Sequence, residues 1–421
     1  MKVTRLAYAC LLIALSTQAS DESTTLYDRY YDDQLTEKEV AFLRFADHYL
    51  SDFIHWRDDY LTQFDAYHEQ VLKKWGSAEY THAGIDVSYS EDLNAKTRTD
   101  IENDTVIVAA RGASKQAAIE RLNALGKALN EMLAEDVYSE VKTALASAEP
   151  SISDITYDPT SQQADKQLID EQTNAINRTF IEPDTPNNDS KLAEKLLAED
   201  TRLQGRERKA SLDKLHQSLA SKQHAPNGYQ ATMTIKLKPG TLKKRALRYA
   251  PMAHKISQDN DISHALVMAI MHTESAFNPK ARSPIPAFGL MQVVPTSAGR
   301  DVNRLLYNTD APMSATKLYQ PEFNTTAGTT YLKILDTRYL KSIDDPQSRL
   351  YCVIAAYNTG SGNVAKAFNT NGSMSIKSAA KIINEMSPDE VYEQLVTRLP
   401  YTETRNYLDK VTNRLPLYGG L

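Results

Sequence analysis

Cysteine is almost missing from this chain: its 421 residues include two, Cys10 and Cys352. Cys10 falls in the opening stretch MKVTRLAYACLLIALSTQASDES, where Lys2 and Arg5 lead into an apolar core that ends at Thr17 and Ala19 before polar sequence. That pattern reads as a secretory signal peptide over residues 1–20, removed after Ala19. Its apolar run is too short to hold a chain across a bilayer. Ala7-Tyr8-Ala9 is a poor setting for acylation, so Cys10 is expected to leave with the signal. Cys352 then has no internal partner for a disulfide, and within YCVIAAY it reads as a small buried hydrophobe. Excess charge is missing too. A net charge of -6 with 41% hydrophobic residues is ordinary and suggests no polyanion, so no nucleic-acid partner is expected.

Several catalytic signatures are also lacking. There is no H-E-x-x-H for zinc and no G-x-S-x-G nucleophile elbow. His272-Thr273-Glu274 matches half of a zinc deaminase signature, but the required P-C-x-x-C is absent. No metal and no cofactor are expected.

What the chain does have is a carboxylate in an apolar setting. Residues 265–271 form an apolar run after a candidate N-cap at Asp261, the pattern of a buried helix. Leu266, Ile270 and Glu274 lie at i, i+4 and i+8, so Glu274 shares the greasy side. Burial would raise its pKa and keep it protonated, as a general acid must be near neutral pH. A Glu paired with a cation at a fraying helix end fits the position equally well. Between residues 275 and 300 there is no Asp or Glu. Glycoside cleavage normally uses two carboxylates, so this interval favours a single-acid mechanism unless a distant acid folds in.

In chain order, a Thr36/Glu39 capping box opens a long helix with Phe42, Phe45, Tyr49, Phe53 and Trp56 as a stripe read as core. The pattern breaks at Trp75-Gly76. Alternation at Ile85, Val87 and Tyr89, then from Arg98 through Asn103-Asp104 to Val108, predicts a hairpin or small sheet. One helix is expected over 114–146. An α+β domain over 21–148 follows from these elements. Residues 149–238 read as a polar linker with helical content, a solvated helix near 191–221, and a short strand over 232–237 that returns to the sheet. After Pro239-Gly240 the chain turns helical through 239–421.

Glu274-Ser275 with Asn278-Pro279, then Ser283, then Gly289-Leu290-Met291-Gln292, Ala356-Tyr357-Asn358, and Glu403-Thr404-Arg405-x-Tyr407 resemble the soluble lytic transglycosylase family in order and spacing. The resemblance covers about residues 240–415. The region before it, with KTRTDIENDTVIVAA ahead of a helix, is similar to membrane-bound, lipid-anchored members, although this chain lacks a good lipidation signal.

The resemblance implies an α+β protein whose N-terminal α+β domain, with a small sheet, precedes a mostly helical lysozyme-like catalytic domain. It also implies cleavage of the β-1,4 bond between N-acetylmuramic acid and N-acetylglucosamine without water, giving 1,6-anhydromuramyl products. Glu274 would act as the single acid and base and Tyr357 beside it; Ser283, Met291, Gln292, Asn358 and Glu403 would line the saccharide groove. The expected partner is peptidoglycan glycan strands, in the periplasm after signal removal and in association with the outer membrane. Hydrolysis on the same scaffold, or glycan binding without cleavage, are the competing readings. Pro286 and Phe288 depart from the family pattern, where Gly precedes the loop Ala and a small residue follows it; both would stiffen or crowd the loop.

Overall fold

A computed structural model describes residues 25–81, 84–133, 135–145, 149–180, 188–221, 224–284 and 286–420. The expected signal peptide, Cys10 included, lies outside the described residues. Among those described, no helix is long and apolar enough to cross a membrane.

The chain runs through α1 (Leu26–Tyr30), α2 (Glu37–Trp75), β1 (Ile85–Tyr89), β2 (Ala95–Asp100), β3 (Thr105–Gly112), α3 (Lys115–Asn123), α4 (Gly126–Met132), α5 (Glu135–Leu145) and β4 (Ser151–Asp154). It continues through α6 (Ser161–Phe180), α7 (Asn188–Ala220), β5 (Tyr229–Lys236), α8 (Thr241–Asn260), α9 (His264–Ser275), α10 (Ala298–Tyr307), α11 (Ala315–Leu318) and α12 (Pro321–Ile334). A π-helical turn (Leu335–Tyr339) precedes α13 (Pro346–Thr359), α14 (Ser361–Phe368), α15 (Ile376–Ile383), α16 (Pro388–Arg398) and α17 (Thr402–Tyr418). The fold is α+β, with a small antiparallel sheet followed by a mostly helical part, as expected. Two units are distinguishable: Met1–Glu69 with Gln162–His216, and Gln70–Ser161 with Gln217–Leu421.

In the first unit the capping box is present: the Glu39 carboxylate accepts from the Thr36 amide at 2.8 Å, and Thr36 Oγ1 accepts from the Glu39 amide at 3.4 Å. The aromatic stripe is only partly core. Phe53 is buried, but Phe45 and Tyr49 are exposed and stack on each other at 5.7 Å, which shelters their ring faces. The helix over 191–221 is solvated on one side and packed on the other. Glu194, Asp200, Thr201 and His216 are buried along α7, and Arg57, fully buried on α2, reaches Asp200 at 2.8 Å. Polar composition suggested a linker because sequence does not show which charges find partners.

In the second unit the sheet order is β1-β2-β3-β5-β4, all pairs antiparallel. The strand expected near 232–237 does return, pairing with β3 from Thr105 opposite Lys236 to Gly112 opposite Tyr229. The helix expected over 114–146 is broken into three. Gly126, with its high backbone entropy, follows the end of α3, and the chain restarts twice so that Leu122, Leu129 and Val137 can all reach the sheet. The core of residues 239–421 gathers around α9, whose Leu266, Val267, Met268, Ala269, Ile270 and Met271 are all buried.

Candidate active site

Helix α9 starts two residues later than the sequence suggested. Ser263, not Asp261, is the N-cap, its hydroxyl accepting from the Leu266 amide at 3.4 Å. Asp261 instead closes α8 in a left-handed conformation (φ 57°), which leaves its side chain no role at the next helix. At the other end Ala276 (φ 47°) and Phe277 (φ 60°) are both left-handed, an arrangement that costs non-glycine residues about 1–2 kcal/mol each. Packing holds them there. Phe277 is fully buried, stacked on His272 at 5.9 Å and edge-on to Tyr418 at 6.0 Å. His272, its pKa lowered to about 4 by burial and by Arg414, exchanges a 2.9 Å hydrogen bond with the Tyr418 hydroxyl.

Glu274 occupies the last turn of this helix, half-buried, so part of its surface still meets solvent. Burial pushes its pKa up to about 8; the nearby Tyr407 hydroxyl pulls it down and the charge of Glu403 pushes it further up. The Tyr407 hydroxyl is buried and stops short of ordinary hydrogen-bond geometry. Among the described residues no cation lowers the pKa of this carboxyl, which favours a desolvated acid over half of an ion pair. A carboxyl that keeps its proton at neutral pH and is reachable from solvent can deliver that proton to a bound oxygen.

Ser275 ties the helix to the following loop, donating to Leu290 O at 2.8 Å. Residues 281–293 form a compact double turn with bridges Arg282↔Phe288 and Phe288↔Val293. Fully buried Asn324 fastens it, donating to Phe288 O (2.6 Å) and Leu318 O (2.9 Å) while accepting from the Met291 amide (2.8 Å). Gly289 is required here: at φ 75°, a Cβ would sit 2.3 Å from Leu318 O.

The residues expected to line a groove separate into distinct roles. Ser283 is half-buried on this loop, its amide bonded to Ala287 O at 3.1 Å. Met291 is fully buried against Gly328 and Thr329, so its side chain offers no surface to a saccharide; this corrects the groove-lining expectation, because the helix backbone at Gly328 leaves a hollow that the thioether fills. Gln292, itself left-handed at φ 47°, spends its amide nitrogen on Ala281 O (3.0 Å) and Gly289 O (2.9 Å) and thereby braces the loop. Tyr357 donates to Met291 O at 2.8 Å, with its ring 5.7 Å from that of Tyr331 and its hydroxyl within the field of Glu274. Asn358 accepts from the Thr404 hydroxyl at 2.7 Å, joining α13 to α17, and Gly360 caps α13. Glu403 is exposed on α17, close enough for its charge to reach Glu274. Pro286 and Phe288 are both buried in this loop. Phe288 is buried edge-on against Tyr319 at 5.5 Å, with the Arg282 guanidinium 5.7 Å over its ring.

Two residues were not singled out from the sequence. Tyr407 stood in the quoted Glu403-Thr404-Arg405-x-Tyr407 motif without a role, and three positions beyond Thr404 on one helix face was the available signal. Asn324 gave none, being one polar residue inside an ordinary helix.

With this geometry described, comparison with known proteins is informative. Residues 251–380 match the Transglycosylase SLT domain. The SLT match bears out the resemblance carried by the motif order and encloses Glu274, Gln292 and Tyr357. Membrane-bound lytic murein transglycosylase C of Pectobacterium atrosepticum is 46% identical over 182 residues, 43% of this chain and 50% of that one. The protein of the same name from Klebsiella pneumoniae subsp. pneumoniae is 45% identical over 187 residues, 44% of this chain and 51% of that one. The chain therefore spans about half the length of the curated relatives it matches. Among solved structures, the 70 kDa soluble lytic transglycosylase of Escherichia coli aligns over 73% of this chain and 51% of its own, at 18% identity and a TM-score of 0.33. At that score the likeness decides nothing further.

Proposed function

We propose that the protein is a peptidoglycan lytic transglycosylase that cleaves the β-1,4 bond between N-acetylmuramic acid and N-acetylglucosamine and releases 1,6-anhydromuramyl products. The observation that carries this is Glu274, a partly exposed carboxyl whose pKa burial raises to about 8 with no cation beside it. Protonated, Glu274 gives its proton to the leaving glycosidic oxygen. As a carboxylate it then takes the proton of the muramyl C6 hydroxyl, so the anhydro ring closes, no water is consumed and the acid is restored.

Tyr357 and Tyr407 face this carboxyl with neutral hydroxyls, since burial and the Glu274 charge raise both phenols well above their usual pKa. Neither phenol ionises beside the transient carboxylate; the Tyr407 hydroxyl favours that charge, while Tyr357 donates to Met291 O. Ser283, Asn358 and Glu403 are the groups left to meet saccharide, whereas Gln292 and Met291 act by holding the loop. Action in the periplasm, on glycan strands near the outer membrane, agrees with the signal-like start and with what the relatives are named for.

Hydrolysis is the second reading, and one observation favours it: Glu403 supplies a second negative charge near Glu274, as a base for water would. Mass spectrometry of sacculi digested by the purified protein separates the two. Anhydro-muramyl ends are expected; reducing muramyl ends alone would replace the first reading with the second.

A further inference from the structure

The turn that follows Glu274 is tied to the sheet. Asn278 closes the turn by donating its amide to Ser275 O at 2.9 Å, and its side-chain oxygen accepts from the Lys280 amide at 3.0 Å. Its remaining side-chain nitrogen donates to Asp86 Oδ2 on β1 at 2.8 Å. Asp86 Oδ1 accepts from Thr81 Oγ1 at 3.3 Å, and buried Arg245 of α8 places its charge near Asp86 while donating to Ala276 O at 3.3 Å. These groups surround a small cleft lined by Asp86, Arg245, Glu274, Ala276, Asn278 and Ala281. The two left-handed residues, Ala276 and Phe277, lie between Glu274 and Asn278.

We infer that Asp86, on the first strand of the sheet, is a positioning residue for Glu274, acting through Asn278 to hold the left-handed turn that aims the carboxyl. The inference rests on the catalytic reading of Glu274. The sheet thereby belongs to the active site, since β1 supplies a carboxylate that nothing in residues 239–421 replaces among the described contacts of Asn278. A turn with two left-handed non-glycine residues relaxes when a tether is lost, and small displacements of a catalytic group are costly in rate.

The test compares Asp86→Ser, which is too short to reach Asn278, with Asp86→Asn, which keeps an oxygen acceptor. Asp86→Ser is expected to lower kcat by about tenfold or more, with KM within about twofold, and Asp86→Asn to restore kcat to within about threefold of wild type. Independently of turnover, ¹³C NMR titration of Glu274 should show its pKa falling from about 8 toward the ordinary 4.5 in Asp86→Ser and staying high in Asp86→Asn. If Asp86→Ser does not fold, Asn278→Ser breaks the same hydrogen bond from the other side and carries the same expectations. A kcat within twofold of wild type, an unmoved Glu274 titration, or losses in both Asp86 variants that track only the folded fraction overturn the inference. A wild-type protein that releases no muropeptide would count against the transglycosylase reading, while the titration would still decide the role of Asp86.

Discussion

Buried carboxyls occur in both units of this protein, under opposite conditions. In the first unit, burial alone would push the Asp58 carboxyl up, but Arg57, Arg29 and Gln204 outweigh it and hold the group below the usual range. Asp165 behaves alike: burial opposes ionisation, and His216 and His68, at 3.1 and 3.6 Å, overcome it. In the second unit Glu274 has burial without a cation, and its pKa rises to about 8. The same desolvation is answered in one place and left unanswered in the other. Answered, it makes a structural strut; unanswered, it stores a proton for chemistry.

The largest effect should come from removing the unanswered acid. Glu274→Gln is expected to lower turnover by ~10²–10⁴-fold, measured as muropeptide release. Stability should respond in the opposite sense. Folding raises the pKa of Glu274 from 4.5 to about 8, so the folded state holds the proton more tightly and wild-type stability falls as pH rises through that window. The Gln variant should lose this slope in thermal melts from pH 4.5 to 8, and wild-type activity should decline on the alkaline side as pH passes about 8. Next is the answered side. Arg57→Ala leaves Asp58 and Asp200 to Arg29 alone and should cost ~1.5–3 kcal/mol in denaturant unfolding. A cost under about 1 kcal/mol would mean that the network matters less than its burial suggests.

How much of this could be read from sequence follows the same division. Glu274 was legible because helical periodicity placed it with Leu266 and Ile270, and the catalytic-side motifs were legible because each is local. The strand returning to the sheet was legible from its alternation. Arg57 and Asp200 were not: they lie far apart in the chain, and in sequence a buried, paired charge looks the same as a solvated one. Residues 149–238 therefore read as a linker. Met291 was located correctly but assigned to the groove, because a motif shows that a residue matters and not whether it faces ligand or core. Asp86 was read only as part of a strand, since its bond to Asn278 joins positions 192 residues apart in the chain.

Two smaller changes probe how finely the partners set each carboxyl. Asp165→Asn keeps an acceptor for one histidine and loses the charge that both share; it should cost ~1–3 kcal/mol at neutral pH. Because folding lowers the Asp165 pKa, its contribution is present above the unfolded value of 3.8 and is lost as pH falls through the folded value. The variant should accordingly show a shallower loss of stability below pH 3.8, read by urea unfolding across the acid range. Tyr407→Phe is the smallest change, one oxygen beside Glu274. The hydroxyl favours the carboxylate, so removing it should move the alkaline limb of the activity profile upward from about 8 and slow turnover by less than about tenfold, the equivalent of ~0.5–1.5 kcal/mol. The sign of that shift is decisive. A downward shift would mean that Tyr407 excludes water from Glu274 more than it stabilises its charge, and the second unit's acid would then owe its proton to the phenol ring and not to the absence of a cation.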